Sequence, residues 1–233
     1  MTTDRLCVVF DVDDTLYLES DYVRSGYSAV GAWIERAYGL SAFGDRCWVA
    51  FRSGLRGTIF DHVLASYDLH GVDEDVVPAL VERYRRHVPS IALIPDADAA
   101  LARLSSGSYV AVLSDGPLES QRAKVRALGL IGRADQIVLT EELGPGRGKP
   151  DPAGFRLIQE RSGIPSERCA YVADNPVKDF RAPADLGWRT VRIRRPQALH
   201  RDLPSGPDVH GEVTTLDALE DVLAGAIHTS VSP

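Results

Sequence analysis

The stretch that most constrains this chain is Val8–Leu16, VVFDVDDTL. An apolar run, Val8 to Phe10, stops abruptly in Asp11, Val12, Asp13 and Asp14, a density of carboxylate that a packed core rejects. Residues two apart on an extended strand project to the same side, so Asp11 and Asp13 face one small volume while Val12 faces away. Carboxylates held that close repel unless one is protonated or a cation lies between them. Oxygen ligands of this kind favour magnesium or a similar hard divalent ion over zinc. The same letters also describe a strand ending in a solvated acidic turn, and the run alone does not choose between the two.

With 233 residues the chain can bury a full core, as one domain or as a core with an insertion. A formal charge of -7 with no long basic block argues against a general nucleic-acid binder. It leaves room for a small phosphorylated ligand, where local arginines and a metal outweigh net charge. Cys7, Cys47 and Cys169 share no short spacing, which fits a reducing compartment and offers no metal or redox motif. No basic segment followed by an apolar signal core opens the chain, and no apolar run is long enough to span a bilayer. The expectation is a cytoplasmic protein without a membrane partner, a monomer or homodimer.

Leu6–Phe10 reads as a buried strand with continuous apolar character, as a parallel sheet covered on both faces requires. Asp11 then stands at a strand's carboxyl end, the edge where open α/β sheets collect ligands. Between Tyr17 and Pro89 the pattern changes to four helical segments without a convincing strand. An α/β alternation follows: a helix from Pro95, a strand at Tyr109–Leu113, a helix at Leu118–Leu128 and a short strand at Gln136–Leu139. Next come a helix at Pro152–Arg161, a strand at Cys169–Ala173, a helix ending near Leu186 and a strand at Arg189–Ile193. Gln197–Pro207 reads as irregular, Glu212 and Val213 as part of an edge strand, and Leu216–Leu223 as a closing helix. The fold class is therefore α/β, a Rossmann-like parallel sheet flanked by helices, with residues 1–16 and 90–233 forming the core and 17–89 an inserted helical cap domain.

FDVDDTLY at Phe10–Tyr17, LSDG at Leu113–Gly116, GKPDPAGF at Gly148–Phe155 and ADNPVKDF at Ala173–Phe180 together resemble the haloacid dehalogenase superfamily of hydrolases, in the family's order. The 17–89 segment is similar to that family's helical cap. The resemblance implies an aspartyl-phosphate mechanism with Mg2+. Asp11 matches the nucleophile, and a carboxylate beside a divalent cation is shielded from the repulsion of an incoming phosphate. Asp13, two residues on, would protonate the leaving group and then take a proton from water. The family's dehalogenases usually lack this second Asp, so Asp13 favours phosphoryl transfer over carbon–halogen cleavage. Asp14 reads as structural, bonding backbone amides, and Thr15 as a pin for the loop.

Ser114 would donate to a phosphoryl oxygen, with Asp115 and Gly116 beside it at the substrate. Lys149, after a loop containing Gly144, Gly146 and Gly148, would neutralise Asp11 and the transferring group. Asp174 would complete the metal shell with Asp11 and the backbone carbonyl of Asp13. Asp179 would hold Lys149 or a metal-bound water, and Asn175 would stabilise the turn. Ala173 departs from the glycine that often precedes the metal-binding Asp.

In the cap, Arg24, Trp33, Arg52, Arg56, His62, Arg83, Arg85, Arg86 and His87 are the substrate-facing candidates. Arg56, between two glycine turns, stands first, and Trp33 and Tyr38 suit the cap's own core better. The expected function is a magnesium-dependent phosphatase for a small phosphorylated metabolite such as a sugar, cyclitol, nucleotide or hydroxy-acid phosphate. A phosphomutase of the same fold is the alternative, followed by a 2-haloacid dehalogenase or a non-catalytic binding protein.

Overall fold

A computed structural model describes residues 5–68, 70–73 and 75–227. Six parallel strands form one sheet: β1 Cys7–Phe10, β2 Tyr109–Ser114, β3 Gln136–Leu139, β4 Cys169–Ala173, β5 Arg189–Ile193 and β6 Gly211–Val213, in the order β3-β2-β1-β4-β5-β6. Every residue of β1 and β4 is buried, which is why these strands read as unbroken apolar runs rather than alternating ones. The strand order runs outward in opposite directions from the β1/β4 pair, and such a switch point opens a crevice at the carboxyl ends of the strands.

Register fixes what stands at that edge. Phe10 pairs with Val112 on one side and Val172 on the other. Asp11 therefore leaves β1 level with the ends of β2 and β4, one residue short of both Ser114 and Asp174. The Asp11 amide still donates to Val172 O at 2.9 Å, so the nucleophile candidate is held by the sheet ladder itself.

The chain divides into two compact units, Met1–Glu19 with Ala92–Pro233 and Ser20–Ile91. In the first, helices α5 Pro95–Leu104, α6 Leu118–Ala127, α7 Ala153–Ser162, α8 Arg181–Asp185 and α9 Leu219–Ile227 accompany the strands. One face of the sheet buries Cys7, Val9, Ala111, Leu113 and Tyr171 against Phe155, Ile158 and Trp188. The inserted unit carries most of α1 Glu19–Tyr38, then α2 Phe43–Arg52, α3 Ile59–Leu64 and α4 Val76–Arg86. Tyr27, Val30, Ile34, Phe43, Phe51 and Leu80 build its separate core, with Trp33 and Tyr38 packed at its margin.

The strands match the sequence-based expectation closely. The expected Gln197–Pro207 irregular segment is indeed built of turns, yet it is firmly tied. Arg192 on β5, fully buried, donates to Leu203 O, Ser205 Oγ, His200 O and Asp174 O. Arg195 donates twice to Thr15 O, at 3.0 and 2.7 Å, and pairs with Asp96 at 2.9 Å in the first turn of α5. Arg195 thus ties the loop after β1 to the chain beyond β5, and Arg192 ties the turns at 200–205 to the end of β4.

Candidate active site

Each member of the site leaves the end of a strand or the loop beyond it. Asp11 follows β1, Ser114 ends β2, Asp174 follows β4, and Lys149 enters from the loop between β3 and α7. Gly148 makes that entry possible, because a Cβ there would meet Asp115 Oδ1 at 2.6 Å. Asp115 is half-buried and takes hydrogen bonds from Thr140 Oγ1 at 2.6 Å and Lys178 Nζ at 3.4 Å. It thus ties the loop after β2 to its neighbours, and Gly116, at φ +140°, turns the chain away beside Gln121.

Lys149 is buried and bridges two carboxylates, Asp11 Oδ1 at 2.5 Å and Asp179 Oδ1 at 2.7 Å, with the Tyr171 hydroxyl at 3.0 Å. Burial works against its charge, but Asp11 and Asp179 outweigh it and hold the ammonium well above the usual lysine value. Carboxylate oxygens of Asp11, Asp174 and Asp179 all lie within 4.8 Å of one another. Burial pushes the Asp11 carboxyl up to about 6, against the pull of Lys149 and with the help of Asp179 and Asp13. Burial likewise takes Asp174 up to about 9, reinforced by Asp11 and Asp179. Asp174 Oδ2 is buried and has no hydrogen-bond partner. Three carboxylates around one ammonium leave a formal excess of two negative charges when all are ionised, and one buried oxygen is unsatisfied. That donor set fits a hard divalent cation.

The Asp13 carboxylate stands apart from this cluster. Lys124 Nζ on α6 donates to both its oxygens, at 2.7 and 2.8 Å, and the Tyr17 hydroxyl donates to Oδ1. Burial raises the Asp13 carboxyl, yet Lys124 and Tyr17 prevail and hold it below the usual carboxylate value. Burial and the nearby Asp13 push Glu19, at the start of α1, up to about 7. Asp14 adopts a left-handed backbone at φ +51° and accepts from the amides of Glu19 and Leu199, at 2.8 and 2.7 Å, the bonding expected of it.

A model of the haloacid dehalogenase-like hydrolases matches residues 6–187, from β1 to the turn after α8. The chain belongs to that family. It is 34% identical over 146 residues to a phosphoserine phosphatase of Thermus thermophilus, a match spanning 62% of this chain but only 55% of that protein. Against a glyceraldehyde 3-phosphate phosphatase of Methanocaldococcus jannaschii the identity is 24%, covering 93% of this chain and 96% of the relative. The fold also matches a crystal structure of a 2-haloacid dehalogenase from Pseudomonas syringae, with a TM-score of 0.63, 24% identity, and coverage of 95% of this chain and 99% of that one. Phosphatases and dehalogenases thus share this chain's architecture.

Within this haloacid dehalogenase-like site the remaining candidates take defined places. Ser114 is buried and donates to Gln121 Oε1 at 2.6 Å. Asn175 donates its backbone N–H to Asp179 Oδ2 at 3.1 Å, accepts from Val177 N at 3.0 Å through its side-chain oxygen and meets His200 Nε2 at 3.1 Å. Thr15 pins its loop through its carbonyl, under Arg195, rather than through its hydroxyl. Arg56 lies in the inserted unit, where it donates to Phe51 O and Leu55 O and stacks 3.9 Å over the Phe51 ring. Its guanidinium secures its own turn. In the same unit Arg83 lies 4.2 Å over Trp33, and both line a groove of about 440 Å³ with Arg36, Glu82, Arg86 and His87.

Three residues escaped the sequence reading: Lys124, Gln121 and Tyr171. The first two sit three apart on α6, hence on one face. The available signal was that this helix, LESQRAKVRA, has too few apolar residues to pack unless part of its polar face is buried. Tyr171 looked like ordinary strand core, and only its hydroxyl, reaching Lys149, distinguishes it.

Proposed function

We propose that this chain is a magnesium-dependent phosphomonoester hydrolase acting on a small phosphorylated metabolite through an aspartyl-phosphate on Asp11. Asp13 carries that reading. It follows the nucleophile by two residues, is not needed to build the three-carboxylate cluster, and has buried partners of its own. A second carboxyl so placed serves proton transfer to and from oxygen, which phosphate ester hydrolysis needs at both of its steps. Halide leaves carbon without a proton, so a dehalogenase needs no acid at its first step.

Asp11 and Asp174, with the backbone carbonyl of Asp13, would hold the cation, while Asp179 fixes Lys149. When bound, the metal offsets the negative charge that Asp11 and the phosphate bring together. Asp11 attacks phosphorus in line with the leaving oxygen, and Lys149 and Ser114 attend the phosphoryl oxygens. Asp13 supplies the leaving alkoxide with a proton and later accepts one from the water that attacks the aspartyl-phosphate. That water adds to phosphorus, the bond from phosphorus to Asp11 breaks, and Asp11 recovers its carboxylate. The three cysteines, all free and buried, support a reducing cytoplasmic setting.

The test is phosphate release from a panel of small phosphomonoesters, with and without magnesium, alongside chloride release from 2-chloropropionate. Magnesium-dependent phosphate release that vanishes in Asp11→Asn supports the proposal. Chloride release without phosphate release would replace it with a dehalogenase, and interconversion of isomeric phosphates without free phosphate with a mutase.

A further inference from the structure

From the geometry of α6, we infer that Lys124 is the positioning residue of Asp13, aiming its carboxylate at the water that hydrolyses the aspartyl-phosphate. The inference rests on the phosphatase reading and adds a residue to it. Lys124 is buried on a helix that reaches the site from a stretch of chain 111 residues beyond Asp13. Its ammonium spans both carboxylate oxygens, at 2.7 and 2.8 Å, and Tyr17 fixes one of them from the other end of the same loop. Three hydrogen bonds to one carboxylate define the plane and tilt of the group, where a single contact would leave it free to turn. One helical step earlier, Gln121 performs the same service for Ser114, at 2.6 Å. One face of α6 therefore sets two groups at two different strand ends.

A buried ion pair between helix and loop also serves structure, so the decisive readout must separate placement from stability. Hydrolysis of p-nitrophenyl phosphate does so. Its phenolate leaves without a proton, so formation of the aspartyl-phosphate needs little from Asp13. Breakdown of the intermediate still needs a water proton removed, and that proton goes to the Asp13 carboxylate as the phosphorus–Asp11 bond breaks.

In Lys124→Met, rapid-mixing kinetics on the magnesium-loaded, full-length enzyme should show a burst approaching one p-nitrophenolate per active site. The ratio of the burst rate to the steady-state rate should rise by about 10²-fold over wild type, the span of a general base. Lys124→Arg, which retains a cation, should restore most of the ratio. Tyr17→Phe, which deletes a single oxygen, should move it in the same direction by several-fold. Burst and steady state falling together in Lys124→Met, with the ratio unchanged, would reduce Lys124 to a structural role and overturn the inference. Should Lys124→Met not fold, an unchanged ratio in Tyr17→Phe overturns it equally. Failure of the wild type to release phosphate from any ester is the distinct result that removes the phosphatase reading, and this inference with it.

Discussion

Asp11 and Asp13 lie two residues apart, and each meets its own buried lysine, but the surroundings differ in stoichiometry. Around Lys149 stand Asp11, Asp179 and, within reach, Asp174; Lys124 holds Asp13 together with a neutral tyrosine, with Glu19 in its electrostatic reach. The first group carries an excess of negative charge, and two of its carboxyls are pushed up, to about 6 and about 9. In the second, Lys124 and Tyr17 prevail over burial, and the Asp13 carboxyl is held low. In the proposed mechanism the same side chain at the same strand end takes two functions from what is packed beside it: a metal-dependent nucleophile where anions crowd, and an acid–base group where a lysine and a tyrosine hold the carboxylate.

Exchanging each acid for its amide should separate the two sides most strongly. Asp11→Asn should lower turnover by more than about 10⁴-fold, because the amide cannot form the covalent intermediate. Asp13→Asn should cost about 10²- to 10⁴-fold, the range of a lost acid–base group, and leave formation of the phosphoenzyme from an aryl phosphate the less affected step. Equal losses at every step in the two variants would mean that the two sides do not divide the work.

The carboxylates that hold the metal should belong to the Asp11 side. Asp174→Ala should raise the magnesium concentration needed for half-maximal activity by at least about 10-fold, the scale on which metal sites respond to loss of a supporting group. An unchanged magnesium requirement would exclude this carboxylate from the shell. The same side should make stability depend on pH. Asp11 and Asp174 have folded values above the unfolded carboxyl near 4, so their contribution is complete below that value and is lost as pH rises through about 6 and about 9. Magnesium-free protein should therefore melt lower at pH 8.5 than at pH 6. Added magnesium should raise Tm more at the higher pH, where the cation no longer displaces a proton. Equal magnesium shifts at both pH values, measured by thermal melts with and without chelator, would contradict the charge excess.

The parts legible in the sequence were those whose chemistry is anomalous where they stand. Asp11, Asp174 and Asp179 interrupt or follow apolar strands, and Lys149 follows a glycine-rich loop, so each invited explanation. Lys124 and Gln121 sit in a charged helix, where such residues are ordinarily solvated; its shortage of apolar residues says that some polar side chains are buried but not which. Their partners are strand ends remote in sequence. Arg192 and Arg195 were illegible for the same reason: each binds carbonyls, and a carbonyl leaves no mark in the letters. Arg56 shows the converse. The glycines around it, Gly54 at φ +97° and Gly57 at φ +78°, serve the turn, and the arginine caps that turn's carbonyls.

The smallest effect should come from Tyr171, and it sharpens the comparison from within the Asp11 side. Its hydroxyl is 3.0 Å from Lys149 Nζ and 3.4 Å from Asp179 Oδ1, beneath the site at the end of β4. Lys149 has three hydrogens to donate, and Asp11 and Asp179 already take two in charged bonds. The tyrosine accepts the third, fixing the rotation of the ammonium without altering its charge. Tyr171→Phe keeps the ring, which packs edge-on against Phe155 at 4.9 Å between centroids, so the core should hold. Losing this hydroxyl, whose bond from Lys149 is worth about 1 kcal/mol and whose bond to Asp179 is long, should lower kcat by roughly 3- to 10-fold, with Tm shifted by only a few degrees. The Lys124→Met burst should survive unaltered in the double variant, because the two lysines serve different acids. A double variant whose losses are far from multiplicative would show instead that Lys149 and Lys124 belong to one connected network.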